Sequence, residues 1–183
     1  MRVEPELDEV VNGRRGILTG IALCMRHECL VSGVALIFSG IDSLAALTRP
    51  VDAGNTSRSV FIAWVERFLL PESGMTCNGL DLYAARCGVL HTHSAESELQ
   101  RHGTARPLIY EWRQGPTADT KVALLSDAIV IEVETLHKAF KVAVDRLLVA
   151  ADTEPEIKSR VRQHLKALLC YRPWPVMAAQ VAA

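Results

Sequence analysis

Arg86 and His91 are the residues best suited to chemistry in this chain, in the segment Asp81-Leu82-Tyr83-Ala84-Ala85-Arg86-Cys87-Gly88-Val89-Leu90-His91-Thr92. Arginine is a permanent cation whose planar fork fits phosphate oxygens. Histidine takes and gives a proton near neutral pH. Together they supply what is needed to cut RNA without a metal ion. A base removes the 2′-hydroxyl proton, an acid protonates the leaving 5′-oxygen, and a cation stabilises the charge that builds on the phosphoryl group. The spacing sets a condition. Five residues along an α-helix turn through about 500°, leaving the two side chains about 140° apart. They act together only where the helix ends or bends, or where a second copy of the chain completes the site.

Other residues group with this pair. Asp42 lies in an apolar helix beside a stripe of small residues, and a carboxylate there needs a partner. Asp42 is read either as orienting Arg86 or His91, through an Asp42–Arg86 contact, or as a solvent-facing polar residue or a structural pair. Tyr83 and Cys87 are four apart on one face of the motif helix, and Cys87 is also four residues from His91, so a thiol–imidazole contact is open to it. His93 and Ser94 follow closely enough to line a cleft beside His91. His91-x-His93 has no clustered third ligand, so neither a metal ion nor a cofactor is expected. Arg101, His102, Arg106 and Arg113 form a modest basic group, read either as a phosphate-steering patch or as scattered surface charge.

The elements that must position these residues are mostly helical. From about Glu6 to Leu47 the pattern reads as two helices broken near Glu28, the first weakened by Gly13, Gly16 and Gly20. In the second, Ser32, Ala35, Ser39, Ser43 and Ala46 share a face that would let another helix approach closely. Phe61, Trp64, Val65, Phe68 and Leu69 define an amphipathic helix from about Ser59 to Leu70, stopped by Pro71. Asn78 is a cap for the motif helix, about Gly79 to His91, with Leu80, Tyr83, Ala84 and Cys87 as its buried face. A short helical turn from about Ala95 to Arg101 takes Ser94 as cap and ends at Gly103. The β-formers of Pro107–Arg113 and Lys121–Ile131, around Gln114-Gly115-Pro116, predict an antiparallel hairpin. Helical periodicity returns at Val133–Leu148, and again after Thr153-Glu154-Pro155-Glu156, with Ile157, Val161, Leu165, Leu168 and Leu169 facing the core.

Composition agrees with one soluble domain over residues 1–183. The chain is mainly α, a bundle of about five to seven helices, with residues 104–131 as an inserted β-hairpin and 171–183 as an apolar tail. Apolar residues make up 49% and the formal net charge is −1, so any nucleic-acid site must be local rather than a broad basic coat. Five cysteines at irregular spacing, with no C-x-x-C pair, point to a reducing cytoplasm. The acidic start (Glu4, Glu6, Asp8, Glu9) argues against a secretory signal. The most apolar run, Cys29–Ile41, reads as a buried helix too short to span a membrane.

By itself R-x4-H has low specificity: 15 Arg and six His in 183 residues give roughly half an occurrence by chance. Its setting says more. Arg86-Cys87-Gly88-Val89-Leu90-His91 is preceded by Phe38-Ser39-Gly40-Ile41-Asp42-Ser43-Leu44-Ala45, by Phe61-Ile62-Ala63-Trp64-Val65-Glu66-Arg67 and by Leu82-Tyr83-Ala84-Ala85. Over about residues 8 to 95 the chain resembles the HEPN family (higher eukaryotes and prokaryotes nucleotide-binding domains). The resemblance implies a helical bundle, usually dimeric, with an R-x4-6-H motif in a cleft at the dimer interface. Many such proteins are metal-independent endoribonucleases, which would make Arg86 and His91 the catalytic pair. Others bind nucleotides or only mediate association. A polar residue commonly follows the arginine in active members, and here that position is Cys87. The expected partners are a second copy, RNA or a nucleotide, and a regulatory protein.

Overall fold

A computed structural model describes residues 5–54, 56–92, 97–112 and 127–166. In chain order the elements are α1 (Pro5–Asn12), α2 (Ile17–Arg26), α3 (Leu30–Thr48), α4 (Arg58–Trp64), a π-helical turn (Val65–Leu69) and α5 (Gly79–Thr92). Then come α6 (Glu98–Arg101), β1 (Leu108–Glu111), β2 (Ile129–Glu132), α7 (Val133–Thr153) and α8 (Pro155–Leu165). The protein is mainly helical with a small two-stranded β element, as the sequence pattern predicts.

α3 is the hub. It packs against α2, α4, α5, α7 and α8. Phe38 of α3, Phe61 of α4 and Phe140 of α7 are fully buried, and each such side chain contributes roughly 1.5–3 kcal/mol of burial free energy. At Gly40 a Cβ would lie 2.7 Å from the Phe140 ring and 3.0 Å from Ile17. The close approach on α3 is therefore made at Gly40. Of the small-residue stripe, Ser32 and Ser39 face solvent, while Ala35, Ser43 and Ala46 are half-buried. α3 runs 19 residues at a mean hydropathy of 1.9 and is half buried. By length and composition it could cross a membrane, so the reading of this segment as too short does not hold. A core helix meets the same test.

Three further expectations change. The N-terminal region holds three helices, because α1 ends at Asn12 and the chain turns through Gly13–Gly16, closed by the Gly16 N–H on the Gly13 carbonyl at 2.8 Å. The second break falls where predicted, with Glu28 at φ 56°. The two strands are parallel, Leu108 beside Ile129 and Glu111 beside Glu132, so the inserted element is not a hairpin. A tight turn joins only antiparallel strands. Parallel ones need a crossover of a dozen or more residues, and residues 112–128 supply that length. Much of the predicted second strand, and the Gln114-Gly115-Pro116 turn, lie outside the described residues. The short turn before β1 is α6, with Ser97 at its start: the Gln100 side chain accepts from the Ser97 N–H at 2.7 Å, while the expected cap Ser94 and start Ala95 lie outside the described residues. Gly103, at φ +67°, closes it as expected.

Candidate functional site

α5 carries the Arg–His pair, and its N-terminal end is tied down first. Asn78 Oδ1 accepts from the Asp81 N–H at 2.9 Å, and Asp81 Oδ2 accepts from the Asn78 N–H at 3.1 Å. This reciprocal cap satisfies two donors that helix geometry leaves unpaired. The Gly79 N–H donates to Glu66 Oε1 at 2.6 Å, and a Cβ on Gly79 would meet that oxygen at 2.8 Å. Asp81 is only 2% exposed. It also accepts from the Arg106 N–H at 2.8 Å and from Arg106 Nη2 at 2.6 Å, while Arg106 Nη2 reaches the Thr76 carbonyl. Burial, then the charge of Asp81, push the neighbouring Cys77 thiol up to about 11. Sequence reasoning missed Asp81 and Glu66 and counted Arg106 in a steering patch. The signal was present: Asn78-x-x-Asp81 has the spacing of a capping box.

The body of α5 buries Asp81, Leu82, Ala84, Ala85, Gly88 and Val89. Leu80, Tyr83 and Cys87 are half-buried, which corrects the predicted face. The helix is apolar on most sides, so periodicity ranks its faces poorly. Buried Asp81, satisfied by the cap and by Arg106, sets which side turns inward.

Near the C-terminal end the predicted Asp42–Arg86 contact is present. Arg86 Nε and Nη2 both donate to Asp42 Oδ2, at 2.7 and 2.6 Å. Each side chain is 22% exposed. Burial opposes the charge on Arg86, but the hydrogen bond and negative charge of Asp42 outweigh it and hold the guanidinium above its ordinary value. Arg86 Nη1 lies 3.2 Å from His91 Nε2, and His91 is exposed in the last turn of α5. The two side chains thus meet within one chain, at the end of the helix, as the spacing required. Arginine has no acceptor, so Nε2 accepts and the proton of the neutral ring sits on Nδ1.

Cys87 Sγ lies 4.0 Å from Arg86 Nη1, and Cys87 is close enough to Tyr83 to act on its phenol. Burial, then Cys87, raise the Tyr83 phenol above its usual value. Its ring packs edge-on against Phe61, centroids 5.6 Å apart. The Cys87 thiol is thus turned toward Tyr83 and Arg86, and the imidazole toward Arg86. His93 and Ser94 lie outside the described residues, as does Arg113. Arg101 and His102 are exposed. Among the described residues no group of three His, Cys, Asp or Glu is placed to hold a metal ion. A hollow of about 490 Å³ lies between α1, α2 and α3, and Asp42, Arg86 and His91 do not line it. No protein-family model matches the chain, and no curated protein or solved structure is similar to it.

Proposed function

We propose that this protein is a HEPN-like, metal-independent endoribonuclease acting as a homodimer in the cytoplasm. The observation that carries the reading is the 3.2 Å approach of Arg86 Nη1 to His91 Nε2 at an exposed helix end, with the guanidinium fixed by Asp42. Asp42 occupies the Nε side of the fork and leaves the Nη1/Nη2 edge for a phosphate. That edge faces the imidazole. A phosphodiester bound there takes over Nη1 and frees the Nε2 lone pair. His91 then accepts the 2′-hydroxyl proton, the 2′-oxygen attacks phosphorus, and the P–O5′ bond breaks. Arg86 stabilises the phosphoryl charge throughout. The leaving 5′-oxygen takes a proton from the His91 imidazolium or from that of a second copy, and the products are a 2′,3′-cyclic phosphate and a 5′-hydroxyl.

A second reading is a non-catalytic HEPN-like dimerisation module that binds a nucleotide, RNA or a protein partner. The pre-existing engagement of Arg86 by Asp42 and His91 favours it. The two are separated by incubating the protein with single-stranded RNA in excess chelator and analysing the ends. Wild type yields cyclic phosphate termini, and His91→Ala lowers the rate by about 100-fold or more. Equal cleavage by both, or none across a broad RNA panel, removes the enzyme reading.

A further inference from the structure

A hollow that neither Arg86 nor His91 lines has the chemistry of an anion site. It has a volume of about 330 Å³ and lies where the C-terminal end of α3, α4, the π-helical turn and α8 come together. Arg49, Arg67 and Arg160 line it, and no carboxylate is among the described lining residues. Its walls are otherwise largely apolar, with Val60, Ala63, Trp64, Phe68 and Ile157.

The three guanidiniums differ in what holds them. Arg67 pairs with exposed Glu154 and sits 4.9 Å over the Phe68 ring. Arg160 pairs with exposed Glu156 and donates to the Thr48 carbonyl at 3.1 Å. Arg49 donates to the Ala46 and Ala53 carbonyls, at 2.5 and 3.1 Å, and among the described residues it pairs with no carboxylate. These carbonyl bonds cap α3 and also fix Arg49 and Arg160 in place, so an incoming anion meets donors already ordered. The Trp64 indole N–H has no acceptor among the described residues, but it is closed off from solvent and so offers no donor to an incoming ligand. Of the three guanidiniums, Arg49 is the one without a carboxylate partner among the described residues. Burial, then the charge of Arg49, hold the neighbouring His164 imidazole below its ordinary value.

We infer that this hollow binds a small oxyanion, phosphate or carboxylate, joined to an apolar body. Arg49 and Arg160 take the oxyanion, and the α4 and α8 side chains take the body. The capping role of the arginines alone would account for their carbonyl bonds, but not for three guanidiniums converging on one largely apolar hollow whose described lining holds no carboxylate.

Calorimetric titration of the full chain tests this with 1-naphthyl phosphate, 1-naphthoate, inorganic phosphate and 1-naphthol. The expected result is binding of at least one of the two naphthyl anions, with naphthol much weaker. The tighter anion identifies the oxyanion. Arg49→Gln and Ala63→Phe each weaken that binding by about tenfold or more, the first by removing charge and the second by filling space. Ala63 is exposed, so Ala63→Phe keeps the test decisive if Arg49→Gln fails to fold. His91→Ala binds as wild type does, which separates this hollow from a phosphate site at Arg86. No binding of either anion by wild type at about 10 mM overturns the inference. So does binding that Ala63→Phe leaves unchanged, or binding that a folded Arg49→Gln leaves unchanged.

Discussion

The two ends of α5 each carry an Asp–Arg pair, and the pairs differ in what is left over. At the N-terminal end Asp81 is buried, and both its oxygens accept from backbone and guanidinium donors. Arg106 spends its remaining reach on the Thr76 carbonyl. That pair joins the chain entering β1 to the start of α5 and presents no reactive group. Near the C-terminal end Asp42 and Arg86 are both partly exposed, and both bonds fall on one carboxylate oxygen. The guanidinium keeps an edge that reaches His91. Identical residue types thus build a clamp in one place and a candidate reactive site in the other. The difference is how many hydrogen-bond donors surround the carboxylate.

The comparison predicts a large asymmetry in stability. Asp81→Ala strands Arg106 and the Asn78 and Arg106 N–H groups, and should cost about 3 kcal/mol, read from urea denaturation. A loss below about 1 kcal/mol would mean that the N-terminal pair is no clamp. Asp42→Asn removes the charge of a partly exposed partner but keeps an amide oxygen to accept from Arg86, and should cost less than about 1 kcal/mol. It should nonetheless lower RNA cleavage by about tenfold or more, because Arg86 loses the charge that fixes its orientation. A stability loss as large as that of Asp81→Ala, with cleavage unchanged, would erase the distinction between the two ends.

The smallest expected effect concerns pH. Burial, then Lys141, lower the His137 imidazole, and burial, then Arg49, lower that of His164. Their folded values lie below the unfolded one, so the unfolded chain binds more protons as acidity rises. The stability they contribute is present above about pH 6.5 and is lost as pH falls from there toward the folded values. Melting temperature should decline between about pH 7.5 and 5.5, and less steeply in His137→Gln. Both groups lie on α7 and α8, so Asp42→Asn should show the same midpoint. A shifted midpoint would place the acid sensitivity at α5 instead.

Much of this contrast was legible in the sequence, and its gaps have physical causes. Helical periodicity located α3, α4, α7 and α8, because their buried faces are apolar stripes at three- and four-residue spacing. Asp42 was matched to Arg86 because a carboxylate in an apolar helix needs a partner. The Asp81 clamp was missed because its second half, Arg106, is 25 residues away, across a turn of no strong pattern. Strand direction was misread for a related reason. β-formers around Gly-Pro indicate a turn, but whether strands run parallel is decided by a connection whose path is not written in composition. The small-residue stripe on α3 marked a smooth surface, whereas the glycine that admits Phe140 was a single position beside it.

The most direct test of the account is the rate of RNA cleavage in excess chelator for Arg86→Gln, His91→Ala and the double variant. If Arg86 and His91 act as one unit, each single change lowers the rate by about 100-fold or more. The double variant is then little worse than the worse single one. Wild-type rates in either single variant, or losses that multiply independently in the double, would contradict it.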